Sequence, residues 1–251
     1  MSPTRGSPVS AAWSLALLLG GIVLLGASVQ RLTGMGFALV AAPGLVLLLG
    51  PAQGVVLCNG GAGVISAIGL AASWRRVRLA AMVPLVVAAA CTVPLGSWVA
   101  ARLPEPWLLA GIGAAVCVAV GSVMLGVRIP ALRARRGAVV AGAASGFMNS
   151  SAGVGGPAVS LYALNAGWTV AEFVPNAQFY GVVVNAFSLA AKSPPHLSAP
   201  AWTGIGTALL AGAALGRVLA AHTPERQAKR AVQWLALAGG AVTLAKGLYT
   251  L

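Results

Sequence analysis

The sequence predicts an all-α polytopic membrane protein of about ten transmembrane segments, some short or broken, in two inverted five-segment repeats. Three observations predict it. Hydrophobic residues make up 59% of the 251 and charged residues only 8%. A soluble globule carries about 25% charged residues, so lipid must cover this surface. The apolar residues fall in runs, most of them near the ~20 residues that cross ~30 Å of hydrocarbon. The second half of the chain also repeats features of the first.

The runs lie at about 11–30, 37–50, 53–73, 79–101, 107–127, 137–149, 154–166, 174–191, 201–221 and 231–250. Arg5 before the first run suggests a secretory signal. The run continues to about Val29 without a small-residue cleavage site, so a retained helix is expected. Segments 37–50, 137–149 and 154–166 hold 13 or 14 residues, about 20 Å as helix. They are too short to span alone without tilt or a break.

Sidedness follows from the 16 Lys+Arg, set against 3 Asp+Glu for a net +13. Arg31, Arg75, Arg76, Arg78, Arg128, Arg133, Arg135, Arg136, Arg226, Lys229 and Arg230 lie on odd-numbered loops, with Arg217 toward the same side. Arg5, Arg102, Lys192 and Lys246 lie on even loops or termini. Lys and Arg are retained in the cytoplasm, so the odd loops are expected inside and both termini outside. Charge confined to short clusters between apolar runs argues for the bilayer as partner and against nucleic acid.

The seven tryptophans, Trp13, Trp74, Trp98, Trp107, Trp168, Trp202 and Trp234, sit near segment ends, as expected of an interfacial belt. Cys58, Cys91 and Cys117 fall inside apolar runs without CxxC spacing, and read as small buried residues. No metal or cofactor is implied. Glu105, Glu172 and Glu225 all lie at segment ends, so no carboxylate proton relay is visible. No phosphate-binding Walker sequence is present, so the chain hydrolyses no ATP itself.

The repeat is read at offsets of 119 and 120. Gly34 and Gly36 match Gly153 and Gly155; Leu70-Ala71-Ala72 matches Leu189-Ala190-Ala191. Leu95-Gly96 matches Leu215-Gly216, and Pro104-Glu105 matches Pro224-Glu225. The Pro-Glu match is informative because acidic residues are so scarce. Residues 11–127 form the first repeat, 137–250 the second, and 128–136 a basic cytoplasmic linker. Five segments per half turn the second half over in the membrane, a plan that places a site at the repeat interface near the midplane.

Two glycine-rich stretches occupy equivalent places: Gln30 to Phe37 and Phe147 to Pro157. Glycine permits backbone that breaks a helix, and Pro157 suits the first turn of a new one. Broken helices in lipid are tolerated only inside protein or beside a wet cavity. A helix N-terminus presents free N–H groups and attracts anions. The expected site for a small anion therefore comprises Gln30, Thr33, Gly34 and Gly36 with Asn149, Ser150, Ser151, Gly153, Gly155 and Gly156. The alternative reading of the glycines is close helix packing. Asn59, Gln178 and Asn185 are polar residues within apolar runs, Asn59 and Gln178 being 119 apart. They are added to the site, the Asn59/Gln178 pair ahead of Asn185, although such residues also bridge helices.

Gly153-Val154-Gly155-Gly156-Pro157, the following Val159 to Leu164, Thr33-Gly34-Met35-Gly36-Phe37-Ala38, and Gly96 before Arg102-Leu103-Pro104 give the chain a recognisable pattern. It resembles the TauE/SafE family of membrane permeases from about residue 12 to 250. The resemblance implies transport of a small anion (sulfite, an organosulfonate or a related organic acid) across the bacterial plasma membrane. A proton or cation could be coupled to it. The family glycine run often has three glycines where this chain has Gly155-Gly156-Pro157, and Phe37 stands where Gly156 stands in the second half.

A passive anion channel is the competing reading. A third is an intramembrane hydrolase using Ser150 or Ser151. It would need a base within hydrogen-bond reach, and His196 and His222 lie in loop regions.

Overall fold

A backbone N–H or C=O without a partner costs several kcal/mol in hydrocarbon, and the apolar runs are accordingly helical. The computed structural model describes residues 8–127, 129 and 135–251, without the side chains of 8–13, 225, 226, 228 and 229. Arg5, the Trp13 ring, Arg128, Arg133 and the side chains of Glu225, Arg226 and Lys229 lie outside the described residues.

Among the described residues there are nine α-helices and no strand: α1 Pro8–Thr33, α2 Phe37–Ala71, α3 Leu79–Arg102, α4 Glu105–Met124, α5 Arg135–Ala152, α6 Gly156–Asn165, α7 Val170–Ala190, α8 Ala199–His222 and α9 Glu225–Tyr249. Six of them are long and apolar enough to cross a membrane: α1, α2, α3, α4, α8 and α9.

The 35 residues of α2 are not one rod. Gly50 has φ 77° and ψ 163°, which a helix cannot accommodate, and Pro51 begins the second arm. Gly61 packs against the Phe37 ring and Gly54 against Val46. A straight helix would hold residues 37 and 61 about 36 Å apart. The arms 37–49 and 51–71 therefore fold back on one another, with the reversal between the expected segments 37–50 and 53–73. The first arm also runs antiparallel to α1, Gly26 meeting Phe37 and Gly44 meeting Ile22.

Segment 137–149 is longer than expected. Its helix, α5, has 18 residues and continues through Asn149, Ser150 and Ser151 to Ala152. Packing explains the extension. Ser145 and Ser150 are fully buried and Asn149 nearly so, and their polar groups are bonded inside the bundle. In contrast, α6 has only 10 residues, about 15 Å.

The two halves interlock. The most extensive packing pairs join α3 to α5, α4 to α9, α1 to α8 and α2 to α7, each crossing from first half to second. Glycines make the close crossings possible: Gly96 lies against Phe147 and Ser150, and Gly216 against Ser28 and Arg31.

Polar contacts gather the loop ends on two faces. Arg78, before α3, pairs with Glu172 of α7 at 2.7 Å, and its backbone N–H donates to Asn176 Oδ1 at 2.8 Å. The Ile129 N–H donates to Asn165 Oδ1 at 2.7 Å. The starts of α3 and α7 and the ends of α4 and α6 thus share the arginine-bearing face. The Glu172 carboxyl is held below its ordinary range by the Thr169 N–H and hydroxyl, with Arg78 adding to the effect. At the other end of the bundle, Gly50 lies beside Glu105.

Trp74, Trp98, Trp107, Trp202 and Trp234 are exposed, and Arg75 and Arg102 sit over the Trp74 and Trp98 rings. Trp168 departs from the belt: it is partly buried, lines a cavity and packs edge-on against Tyr162. Of the cysteines, Cys58 is buried, but Cys91 is exposed and Cys117 only partly covered. Cys91 lies on a side of α3 that no neighbouring helix covers, which the apolar run alone could not reveal.

Candidate functional site

Each glycine stretch ends a helix in the same way. Gly34 and Gly153 have φ 81° and 75°, backbone that a Cβ would strain. The Gly34 N–H donates to the Gln30 carbonyl at 2.9 Å, and the Gly153 N–H to the Asn149 carbonyl at 3.0 Å. The chain then turns into α2 at Phe37 and α6 at Gly156. The two tips touch: Gly156 packs against Met35, and Ser160 Oγ lies 3.4 Å from Met35 Sδ.

Buried amides hold the tips. Gln30 Nε2 donates to Ser66 Oγ at 2.8 Å and to Gln178 Oε1 at 3.3 Å. Gln178 Nε2 in turn donates to the Gly34 carbonyl at 2.7 Å. At the other tip, Asn149 Nδ2 donates to Asn185 Oδ1 at 3.1 Å and Ser188 Oγ at 2.9 Å. Asn59 Nδ2 donates to the Asn149 carbonyl at 3.2 Å. Such bonds average about 0.6 kcal/mol within a membrane, so their main effect is to fix where the tips sit.

Between the tips lies a cavity of about 380 Å³, within the ~300–1,000 Å³ range of small-molecule sites. Gln30, Thr33, Ser66, Asn149, Ser160 and Asn185 supply polar wall, and Ala38, Leu39 and Pro157 place the first turns of α2 and α6 against it. Met35, Trp168, Phe173 and Tyr180 supply apolar and aromatic wall. The Tyr180 hydroxyl, though buried, has no hydrogen-bond partner among the described residues. Among the described residues, none in the lining carries a formal charge. The wall also includes Val123, Val170 and Val232, near the α4, α7 and α9 ends, so the cavity lies toward the arginine-bearing face.

A family model described as sulfite exporter TauE/SafE matches residues 18–243. The chain belongs to the TauE/SafE family. Comparison with curated proteins and with solved structures found no match. The family assignment and the long apolar helices make this TauE/SafE chain a multi-pass membrane protein of a transporter family.

Seven expected residues of the TauE/SafE chain line the cavity: Gln30, Thr33, Gly34, Gly36, Asn149, Gly156 and Asn185. The others stand elsewhere. Gln178 and Asn59 are buried behind the tips and bond their backbones; Asn185, ranked after them on sequence, is the one in the wall. Gly153 packs on Cys58 and Val55, and Gly155 on Ser145 and Asn149. Ser150 Oγ donates to the Gly146 carbonyl and Ser151 Oγ to that of Phe147, Ser151 facing a different cavity. Ser66, Ser160 and Tyr180 are wall residues that the sequence does not single out. Ser66 carries a signal nonetheless, since it stands 119 positions before Asn185.

Proposed function

We propose that this protein is a secondary transporter that moves a small anion across the bacterial plasma membrane. The anion would be sulfite, an organosulfonate or a related organic acid, bound in the cavity between the two glycine tips. The observation that carries the reading is the convergence of both tips, one from each half, on a single cavity whose described lining residues are uncharged. Helix N-termini and neutral amides can replace an anion's hydration shell there, with apolar wall for an organic tail.

The proposal includes ten membrane segments in two inverted repeats, the arginine-bearing face in the cytoplasm and both termini outside. Symmetry of contacts supports this arrangement. At the 119 offset, Phe147 and Ser150 correspond to Ser28 and Arg31; at 120, Gly96 corresponds to Gly216. Gly96 packs on the first pair and Gly216 on the second, as an axis exchanging the halves would require. The family description, sulfite exporter, supports sulfite as the first substrate to try. The test is sulfite flux into vesicles containing the purified protein. Saturable flux with counterflow is expected. Folded protein that moves no sulfite, organosulfonate or organic acid would sink the transporter reading, and flux without saturation would favour a channel.

A further inference from the structure

A second cavity, about 470 Å³, lies at the other end of the bundle and shares no lining residue with the first. Its wall comes from the start of the second α2 arm at Gln53, the end of α3 at Ser97, Ser151 of α5, and the 191–198 connection with Lys192 and His196. Asn149 lines one cavity and Ser151 the other; the two residues stand about 200° apart around the helix axis, so α5 itself is part of the partition. Buried Cys58, Asn59 and Ala152 form it with Gly153, and Cys58 Sγ lies 3.8 Å from the Gly153 carbonyl.

Lys192 brings a formal charge to this cavity. Its Nζ donates to the Ser150 carbonyl in the last turn of α5, an arrangement that also suits the negative end of a helix dipole. An ammonium has three protons, and one acceptor leaves it undersatisfied. Among the described residues no carboxylate lies within ion-pair distance of it. Ser97 Oγ, in the same wall, is buried and has no partner among the described residues. Burial lowers the Lys192 pKa to about 8, consistent with a cation short of water and of a counter-ion.

We propose that this cavity is a second anion site, where Lys192 Nζ supplies the charge and Ser97 Oγ a hydrogen bond to a small oxyanion. Its place on a path through the Cys58–Gly153 partition rests on the transport reading; anion binding in the cavity does not. The test uses a Ser97→Cys variant in a Cys91→Ala background, in nanodiscs, with mass spectrometry of the peptide carrying the new thiol. Rates are compared for an anionic sulfonatoethyl and a cationic trimethylammonioethyl methanethiosulfonate. The anionic-to-cationic ratio should fall roughly tenfold or more when Lys192→Gln removes the charge, and Lys192→Arg should keep it. Inorganic sulfate should slow labelling, and cease to do so with Lys192→Gln. A ratio unmoved by Lys192→Gln, or labelling indifferent to sulfate, overturns the proposal. If Lys192→Gln does not fold, the ratio is followed on the native lysine as pH rises through about 8. Cys58 on α2, Glu105 on α4 and His196 are the other titratable groups nearby. The ratio should fall with the native lysine and hold with Lys192→Arg; a level ratio in both overturns the proposal. Sulfite flux with a flat ratio rejects this site alone, whereas a steep ratio without flux of any small anion rejects the transport reading alone.

Discussion

Gln30 and Asn149 occupy the same place in the two halves. They are 119 positions apart, and each donates its side-chain amide to a residue of the crossing α2–α7 pair. Their acceptors, Ser66 and Asn185, are also 119 apart. Gln178 and Asn59 complete the two trios at that offset, each donating to the backbone of the opposite half. The tip in one half of the chain is thus held in register by a side chain from the other half.

Gln30→Leu and Asn149→Leu should therefore act alike. Gln30→Leu removes three side-chain hydrogen bonds, one of them from the Phe37 N–H, and Asn149→Leu two, for about 1–2 kcal/mol of stability at membrane values. Each should lower sulfite flux roughly tenfold, the effect of a tip displaced from its productive position. Thermal unfolding and vesicle flux read the two effects separately. Wild-type flux in either variant would mean that the tips need no such positioning.

The contact between tips can be caught chemically. With Met35→Cys and Ser160→Cys, in a background where Cys91 and Cys117 are alanine, a short bifunctional thiol reagent should join the two halves. A protease cut in the 128–136 linker then leaves one band on a denaturing gel. Flux should stop on cross-linking. Two separate bands after treatment would contradict the neighbourhood of Met35 and Ser160.

Close glycine crossings should be intolerant of a single methyl group. An alanine Cβ at Gly96 would collide with Phe147 and Ser150, and one at Gly216 with Ser28. Gly96→Ala and Gly216→Ala should each cost about 1–3 kcal/mol, the usual penalty for overpacking. At Gly111 an added methyl would meet nothing within 4 Å, so Gly111→Ala should stay within ~0.5 kcal/mol. Melting temperatures of the three variants check the contrast.

Lys192 should leave a signature in stability against pH. Its ordinary value of 10.5 falls to about 8 because burial disfavours the charged form. Below about 8 the folded and unfolded states are both protonated, and the folded state bears the full cost of the buried charge. Between about 8 and 10.5 the unfolded state binds more protons, so stability rises with pH. The melting temperature of the native protein, taken relative to Lys192→Gln, should climb through that window. A difference that falls or stays level would remove the buried ammonium.

Much of this organisation is legible because glycine and proline punctuate the chain where its direction changes. Gly34, Gly36, Gly153 and Gly155 mark both tips, and Gly50-Pro51 lies at the boundary between two expected segments. Hydropathy gives a segment's length but not its neighbours. It therefore misses the full length of α5, whose Asn149 and Ser150 read as a polar end until α3 and α7 cover them. Which amide faces a cavity is likewise a matter of lateral packing: Asn185 and Gln178 lie on the same helix, yet only Asn185 reaches the wall. Lys192 reads as a stray cation on a loop, because the cavity beside it forms only when α2, α3 and α5 meet.

The absence of formal charge among the described residues of the wall between the tips bears on what happens after cargo leaves. A resident lysine or arginine there would be stranded without its counter-ion in a vacated, low-dielectric chamber, and the return stroke would stall until another anion arrived. Dipoles leave no such debt, so a carrier built this way can reset when empty. On the transport reading, this protein should sustain net one-way movement down a gradient rather than obligatory one-for-one exchange.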